Sequence, residues 1–169
     1  MDSEIAIDIA APPALVFALA RDVERWSTLL PHYARSSVVD RAADGAVAAD
    51  FIARRPLVPV LGLALPVAWR ARTWNDPAAL RLRFRHIAGA TRGMEVTWRI
   101  EPGTDGCRVV IEHRFASRLP GFAAFVDRAF TRPIAGRTLA TFKALAESVQ
   151  SALAEGRESG VASPANPTT

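Results

Sequence analysis

The sequence predicts an α+β fold: one antiparallel sheet of about seven strands, with a long C-terminal helix packed on it. Three observations carry this. The middle of the chain alternates apolar and charged residues with a period of two, the breaks between such runs are short and rich in turn residues, and a long apolar stripe at helical spacing follows. Short breaks imply antiparallel neighbours, because a parallel connection needs a crossover of a dozen or more residues.

The first strand is read from Ile5, Ile7 and Ile9, which alternate with Glu4, Ala6 and Asp8. Pro12 and Pro13 stop it and suit the first turn of a helix. Leu15, Val16, Leu19 and Val23 then recur at helical spacing, with Trp26, Leu29 and Leu30 continuing the face as far as Pro31. Asp22 splits this stretch into two short helices. Strands follow at 33–42, 46–54, 67–74, 80–87, 94–101 and 107–116. Their turns are Asp44-Gly45, Asn75-Asp76-Pro77, 89–93 and 102–106. After Pro120 the stripe runs through Phe122, Phe125, Val126, Phe130, Ile134, Thr138, Phe142 and Leu145 to Leu153. Pro133 lies inside it and removes a backbone donor, so a kink or restart is expected there. The domain is expected to span 1–155, with 156–169 a disordered polar tail.

Alternation fixes which face looks inward. On the fourth of these runs Leu80, Leu82, Phe84 and His86 face in, because Arg81, Arg83 and Arg85 are the alternative. By the same logic Val67, Trp69, Ala71 and Thr73 face in, as do Met94, Val96, Trp98 and Ile100, and Val109, Ile111, His113 and Phe115. Pairing 96 with 113 and 86 with about 96 would place His86 and His113 on strands either side of Val96, roughly 9–10 Å apart. Each also fits an ordinary core histidine. Desolvation favours the neutral imidazole, which donates and accepts at once. His32 stands at a helix end and no inward carboxylate is apparent, so neither a metal nor a cofactor is expected.

Composition narrows the function classes. Half the residues are hydrophobic, 22% are charged and the net charge is +4. No apolar run reaches the ~20 residues of a membrane span. Met1 to Glu4 lacks the start of a signal peptide, so a cytoplasmic location is expected. Cys107, the one cysteine, excludes an internal disulfide. The cations are arginines apart from Lys143, a bias that with the abundant alanine points to a GC-rich bacterial genome. They alternate with apolar residues rather than clustering with exposed aromatics, so nucleic acid is not an expected partner.

Several local motifs, in order, resemble the START-like (SRPBCC) superfamily and its polyketide cyclase/dehydrase and lipid-transport group. They are Ile7-Asp8-Ile9-Ala10-Ala11-Pro12, Val16-Phe17, Asp22-Val23-Glu24-Arg25-Trp26, Leu30-Pro31, Gly93-Met94-Glu95-Val96-Thr97-Trp98, and the strand ending His113-Arg114-Phe115. The resemblance covers about 3–153. It implies a helix-grip (START/Bet v 1-like) fold, in which a curved sheet wraps the C-terminal helix and encloses a cavity for lipids, quinones or polyketide-like aromatics. Trp26 and Tyr33 match a tryptophan and tyrosine that help fold the substrate in aromatase/cyclases, while Thr73 stands at the position of their strand arginine.

Three functions follow as expectations. The first is a binder or carrier of a hydrophobic small molecule, contacted by Trp26, Trp69, Thr73, Phe84, Met94, Trp98, Phe115, Phe125, Phe130 and Phe142. The second is a cyclase or dehydratase that adds His86, His113 and Tyr33 as catalytic groups. The third rests on the apolar segment 56–66, whose three prolines argue against a regular central strand. With Leu57, Leu61 and Leu63, and with Pro133 and Gly136 as a hinge, it would be a lid over the cavity mouth, or a tip making transient contact with a membrane or protein. The sequence sets no oligomeric state.

Overall fold

The first strand, β1 (Asp2–Ile9), ends where Pro12 takes an extended conformation and Pro13 opens helix α1 (Pro13–Arg21). Asp22 leaves helical geometry, and a single 3₁₀ turn (Val23–Arg25) leads into the short α2 (Trp26–Leu29). The computed structural model describes residues 1–58, 63–117 and 119–161, and the side chains of Leu57, Val58, Leu63 and 157–161 are not among what it describes. Six strands follow: β2 (Tyr33–Arg41), β3 (Val47–Val58), β4 (Leu63–Asp76), β5 (Arg81–Gly89), β6 (Glu95–Gly103) and β7 (Gly106–Arg114). The chain closes with α3 (Phe122–Val126), a π turn (Asp127–Thr131) and α4 (Arg132–Val161).

All seven strands form one antiparallel sheet in the order β1-β7-β6-β5-β4-β3-β2. The meander from β2 to β7 needs only turns, whereas β1 lies at the far edge from β2 and is joined to it by the α1–α2 segment. The first two helices thus cross from one edge of the sheet to the other. The face they share with α4 carries the core. Leu82, Val109, Ile111, Ile100, Phe51 and Ala71 are buried from the sheet, and Val16, Phe17, Trp26, Leu139, Phe142 and Ala146 are buried from the helices. The opposite face carries the arginines, among them Arg70 paired with Asp50 and Arg99 paired with Glu101 and Glu112. These pairs are exposed and contribute little to stability.

Four features differ from the sequence reading. Pro56 and Pro66 do not end the strands: β3 runs past Pro56 and β4 includes Pro66, opposite Ala64 and Arg54 respectively. Beyond the Tyr33–Ala53 and Trp69–Gly89 pairs no strand among the described residues flanks this hairpin, so a missing N–H can face the open side without breaking a ladder. Residues 59–62, Leu61 included, lie outside the described residues. Second, Leu80 belongs to the turn, with φ 46°, and is half-buried. Third, the β5–β6 register pairs Phe84, not His86, with Val96; His86 exchanges backbone hydrogen bonds with Gly93 and Met94 instead. Fourth, α4 is helical as far as Val161, beyond Leu153, the last residue read into the apolar stripe.

The interruption expected at Pro133 takes the form of the π turn. The Arg132 N–H donates to the Asp127 carbonyl, five residues back, immediately before the proline that has no N–H to give. The 89–93 turn depends on glycine at its first position. Gly89 has φ +92°, and a Cβ there would stand 2.6 Å from the Ala68 carbonyl oxygen, so β5 can lie this close to β4 beside Trp69 only without a side chain.

Candidate functional site

Between the sheet and the N-terminal half of α4 lies a cavity. Its volume is about 80 Å³. Its sheet wall comprises Phe51 of β3, Val67 and Trp69 of β4, Phe84 and His86 of β5, Val96 and Trp98 of β6, and Ile111 and His113 of β7. Trp26 of α2, Tyr33 at the start of β2, and Thr91 and Met94 between β5 and β6 add to it, and Phe130 and Thr131 of the π turn with Ile134, Ala135 and Thr138 of α4 close it.

Why the space lies at this end of the sheet is a matter of packing. Trp26 fills the other end. Its ring centroid lies 5.4–6.0 Å from those of Tyr33, Phe51, Phe84, Trp98 and Phe142, and its Nε1–H donates to the Ala20 carbonyl at 2.9 Å. Trp26 therefore presents only an apolar ring to the cavity. Trp69 is half-buried at the other end and stacks between Phe51 and His86, with interplanar angles of 15° and 16°.

Polar groups are few and placed in pairs. The His86 Nδ1 lies 2.6 Å from the Thr91 hydroxyl. Met94 N–H donates to the Thr91 carbonyl, which fixes the turn carrying that hydroxyl. His113 is buried opposite Val96, and its Nδ1 has no hydrogen-bond partner. A buried polar atom left alone is costly unless a guest satisfies it. Desolvation holds both imidazoles neutral: it lowers His86 to about 3, helped by the nearby His113, and lowers His113 to about 4. For His113, Asp127 opposes that shift and Arg132 adds to it. Asp127 is itself held by the Ser3 hydroxyl at 2.7 Å and the Arg132 Nε at 2.9 Å.

A second network ties the start of β2 to α4. Thr138 donates to the Ile134 carbonyl and lies 2.9 Å from His32 Nε2. Tyr33 is buried, and that burial pushes its phenol well above the ordinary range, a shift the Thr138 hydroxyl opposes, so it remains protonated. His32 is lowered to about 4, chiefly by burial and then by Arg137.

Of the side chains named from sequence, the cavity brings together His86, His113, Tyr33, Trp26, Trp69, Phe84, Met94, Trp98 and Phe130. It leaves out Thr73, buried at 2% exposure between β3 and β5, and Phe142, buried behind Trp26. Phe115 packs on Phe122, and Phe125 is 58% exposed beside Phe130. Pro133 and Gly136 are half-buried on the helix and are not in the cavity wall. Leu57 and Leu63 lie on strands, with their side chains outside the described residues. Sequence reasoning missed Phe51, Thr91 and Thr131. Thr138 was visible as a hydroxyl inside an apolar helical stripe, which is the signal that marks it.

Among the described residues the wall contains no Arg, Lys, Asp or Glu. It offers two neutral imidazoles, a phenol and threonine hydroxyls on aromatic surfaces. Such a wall hydrogen-bonds carbonyl and hydroxyl groups and does not reward a charge placed deep inside.

Known proteins share this architecture. The chain is 31% identical over 156 residues to the granaticin polyketide synthase bifunctional cyclase/dehydratase of Streptomyces violaceoruber, an alignment covering 86% of the chain and 44% of that protein. It thus spans less than half the length of that curated relative. Among solved structures, the Zhui aromatase/cyclase from Streptomyces sp. R1128 superposes with a TM-score of 0.70 over 87% of this chain and 93% of that one, at 19% identity. A START superfamily protein from Mycobacterium smegmatis gives 0.57 over 90% and 98%, at 17% identity. Those two likenesses concern the fold. Residues 2–147 match the family described as polyketide cyclase/dehydrase and lipid transport, and the chain belongs to that family.

Proposed function

We propose that the chain binds a small, ring-containing hydrophobic molecule bearing carbonyl or hydroxyl groups, of the quinone or polyketide-like aromatic class, in the cavity between sheet and helix. One observation carries the reading: His113 keeps an unpaired Nδ1 buried in an aromatic wall, a cost that a guest's polar group would offset. His86, its Nδ1 already engaged by Thr91, keeps Nε2 for the same guest. The experiment is calorimetric titration with 1-naphthol and with naphthalene. Binding of 1-naphthol should be tighter, and His113→Leu should weaken it about five- to tenfold, the effect of one lost hydrogen bond. Equal affinity for the two compounds, untouched by the substitution, would remove the reading.

A second reading, cyclase/dehydratase chemistry, is favoured by both histidines lining one cavity. For a β-hydroxyketone, one imidazole would take the proton from the carbon beside the carbonyl. Once it carries that proton the same imidazole is an acid and would return it to the departing hydroxyl, the other imidazole steadying that hydroxyl through an N–H hydrogen bond, so that one water leaves and an enone remains. Tyr33, held protonated, could donate to the carbonyl oxygen as charge builds on it. Folded-state values of about 3 and 4 make both imidazoles weak bases at neutral pH, which is why binding is placed first. Incubation with 4-hydroxy-4-phenylbutan-2-one, followed by enone absorbance, tests this. A rate equal to buffer, or unchanged in His86→Gln and His113→Gln, counts against it.

A further inference from the structure

Arg55 continues the cavity wall outward. Phe51, Ala53 and Arg55 share one face of β3, and their partners on β4 are Trp69, Val67 and Leu65. Phe51, Trp69 and Val67 line the cavity and Ala53 is fully buried, so Arg55 is the next step toward its open end. There its guanidinium carbon stands 5.9 Å from the ring centroid of Phe130, a cavity-lining side chain of the π turn. Nearby Leu65 and Phe125 are exposed, which marks this as the edge of the apolar interior. Arg55 is half-buried, its Nε is fully buried with no hydrogen-bond partner, and no carboxylate among the described residues pairs with it.

We infer that Arg55 forms an anion subsite at the cavity mouth, so that the ligand is amphipathic, with an uncharged aromatic body inside and a carboxylate or phosphate at the rim. The inference rests on the cavity being a binding site. A guanidinium is cationic and presents its N–H groups in a planar fork that fits two oxygens of such an anion. The guanidinium lies over the Phe130 ring, which is also where the ligand body would emerge. The interior adds the complementary constraint, since its wall carries no fixed charge to pair an anion placed deeper. Orientation follows: the charged end points out, and the carbonyl or hydroxyl end reaches His86 and His113.

Calorimetric titration of the full chain with 2-naphthoate and 2-naphthalenemethanol at low salt tests this. The two probes share a ring system and differ in charge. Wild-type protein should bind the carboxylate about tenfold more tightly, as one charge-assisted contact predicts. Arg55→Gln should bring the carboxylate down to the affinity of the alcohol while leaving the alcohol unchanged, and Arg55→Lys should keep part of the preference. The subsite alone is overturned if wild type binds the alcohol as tightly as the carboxylate, or if Arg55→Gln weakens both alike. If wild type binds neither probe, the subsite falls together with the cavity reading on which it rests.

Discussion

The indole of Trp69 lies nearly parallel to the imidazole of His86, with 16° between the planes and 5.7 Å between centroids. The Thr91 hydroxyl reaches His86 Nδ1 at 2.6 Å. The imidazole is therefore fixed in plane by a strand neighbour and in rotation by a turn residue. Orientation of this kind is what a binding or proton-transferring group needs before any guest arrives.

Replacing Thr91 with valine keeps the volume and removes the hydroxyl. Nδ1 of His86 then loses its partner, and urea unfolding should show a loss of about 1–3 kcal/mol. Binding of 1-naphthol should weaken as well, and Thr91→Ser should restore both properties. Full stability in Thr91→Val would show that the contact does not hold the ring.

Stability should fall on mild acidification. His32, His86 and His113 have folded-state pKa values near 4, 3 and 4, all lowered first by burial. In the unfolded chain each takes up its proton near pH 6.5. Between roughly pH 6.5 and 4 the unfolded state binds more protons, so stability rises with pH across that window. The stabilisation is complete above about 6.5 and is lost as pH falls toward the folded values. Calorimetric scans should show Tm dropping between pH 7 and 5, with a flatter profile in His86→Gln/His113→Gln. A Tm independent of pH over that range would contradict the burial of neutral imidazoles.

Trp26 should prove a stability residue more than a ligand contact. Its ring touches five other aromatic side chains and its N–H is already used by Ala20. Trp26→Ala should cost about 3–5 kcal/mol through the space it leaves. Trp26→Phe should recover most of the packing, lose the Ala20 bond, and change 1-naphthol affinity less than His113→Leu does. A Trp26→Phe variant that folds normally and binds nothing would reverse this assignment.

Thr138 links two stretches that the sequence holds far apart: His32, just before β2, and α4, whose Ile134 carbonyl also takes the Thr138 hydroxyl proton. Thr138→Val leaves a buried imidazole nitrogen short of a partner. A loss of about 1–3 kcal/mol in denaturant unfolding is expected, as for one orphaned group. Little or no loss would mean that water replaces the hydroxyl.

Much of the fold was legible because the outer face is so strongly marked. Arg81, Arg83 and Arg85 on β5, or Glu95 and Arg99 on β6, leave one choice of inward face, and the faces chosen from the alternation are the buried ones. Register was harder to read. The 89–93 turn contains two glycines with positive φ, and backbone geometry of that kind sets the length of a hairpin, so His86 ends beside Met94 instead of Val96. The proline argument over 56–66 assumed strands on both sides, a condition that the projecting β3–β4 hairpin does not meet.

The candidate site was half legible for a related reason. Alternation tells which residues face the helix, but not where along the strands the space between the layers stays empty. Thr73, Phe115 and Phe142 face the right way and are consumed by packing: Thr73 lies between β3 and β5, Phe115 packs on Phe122 of α3, and Phe142 lies against Trp26. Thr91 was hidden for the opposite reason: it sits in a turn, where periodicity carries no information.

The central claim is that a guest enters the cavity and meets His86 and His113. Ring-nitrogen NMR of histidine-labelled protein, before and after saturation with 1-naphthol, addresses it directly. The account predicts that the resonances of His86 and His113 move while those of His32, committed to Thr138, stay in place. Saturable binding that leaves both cavity histidines unperturbed would contradict it.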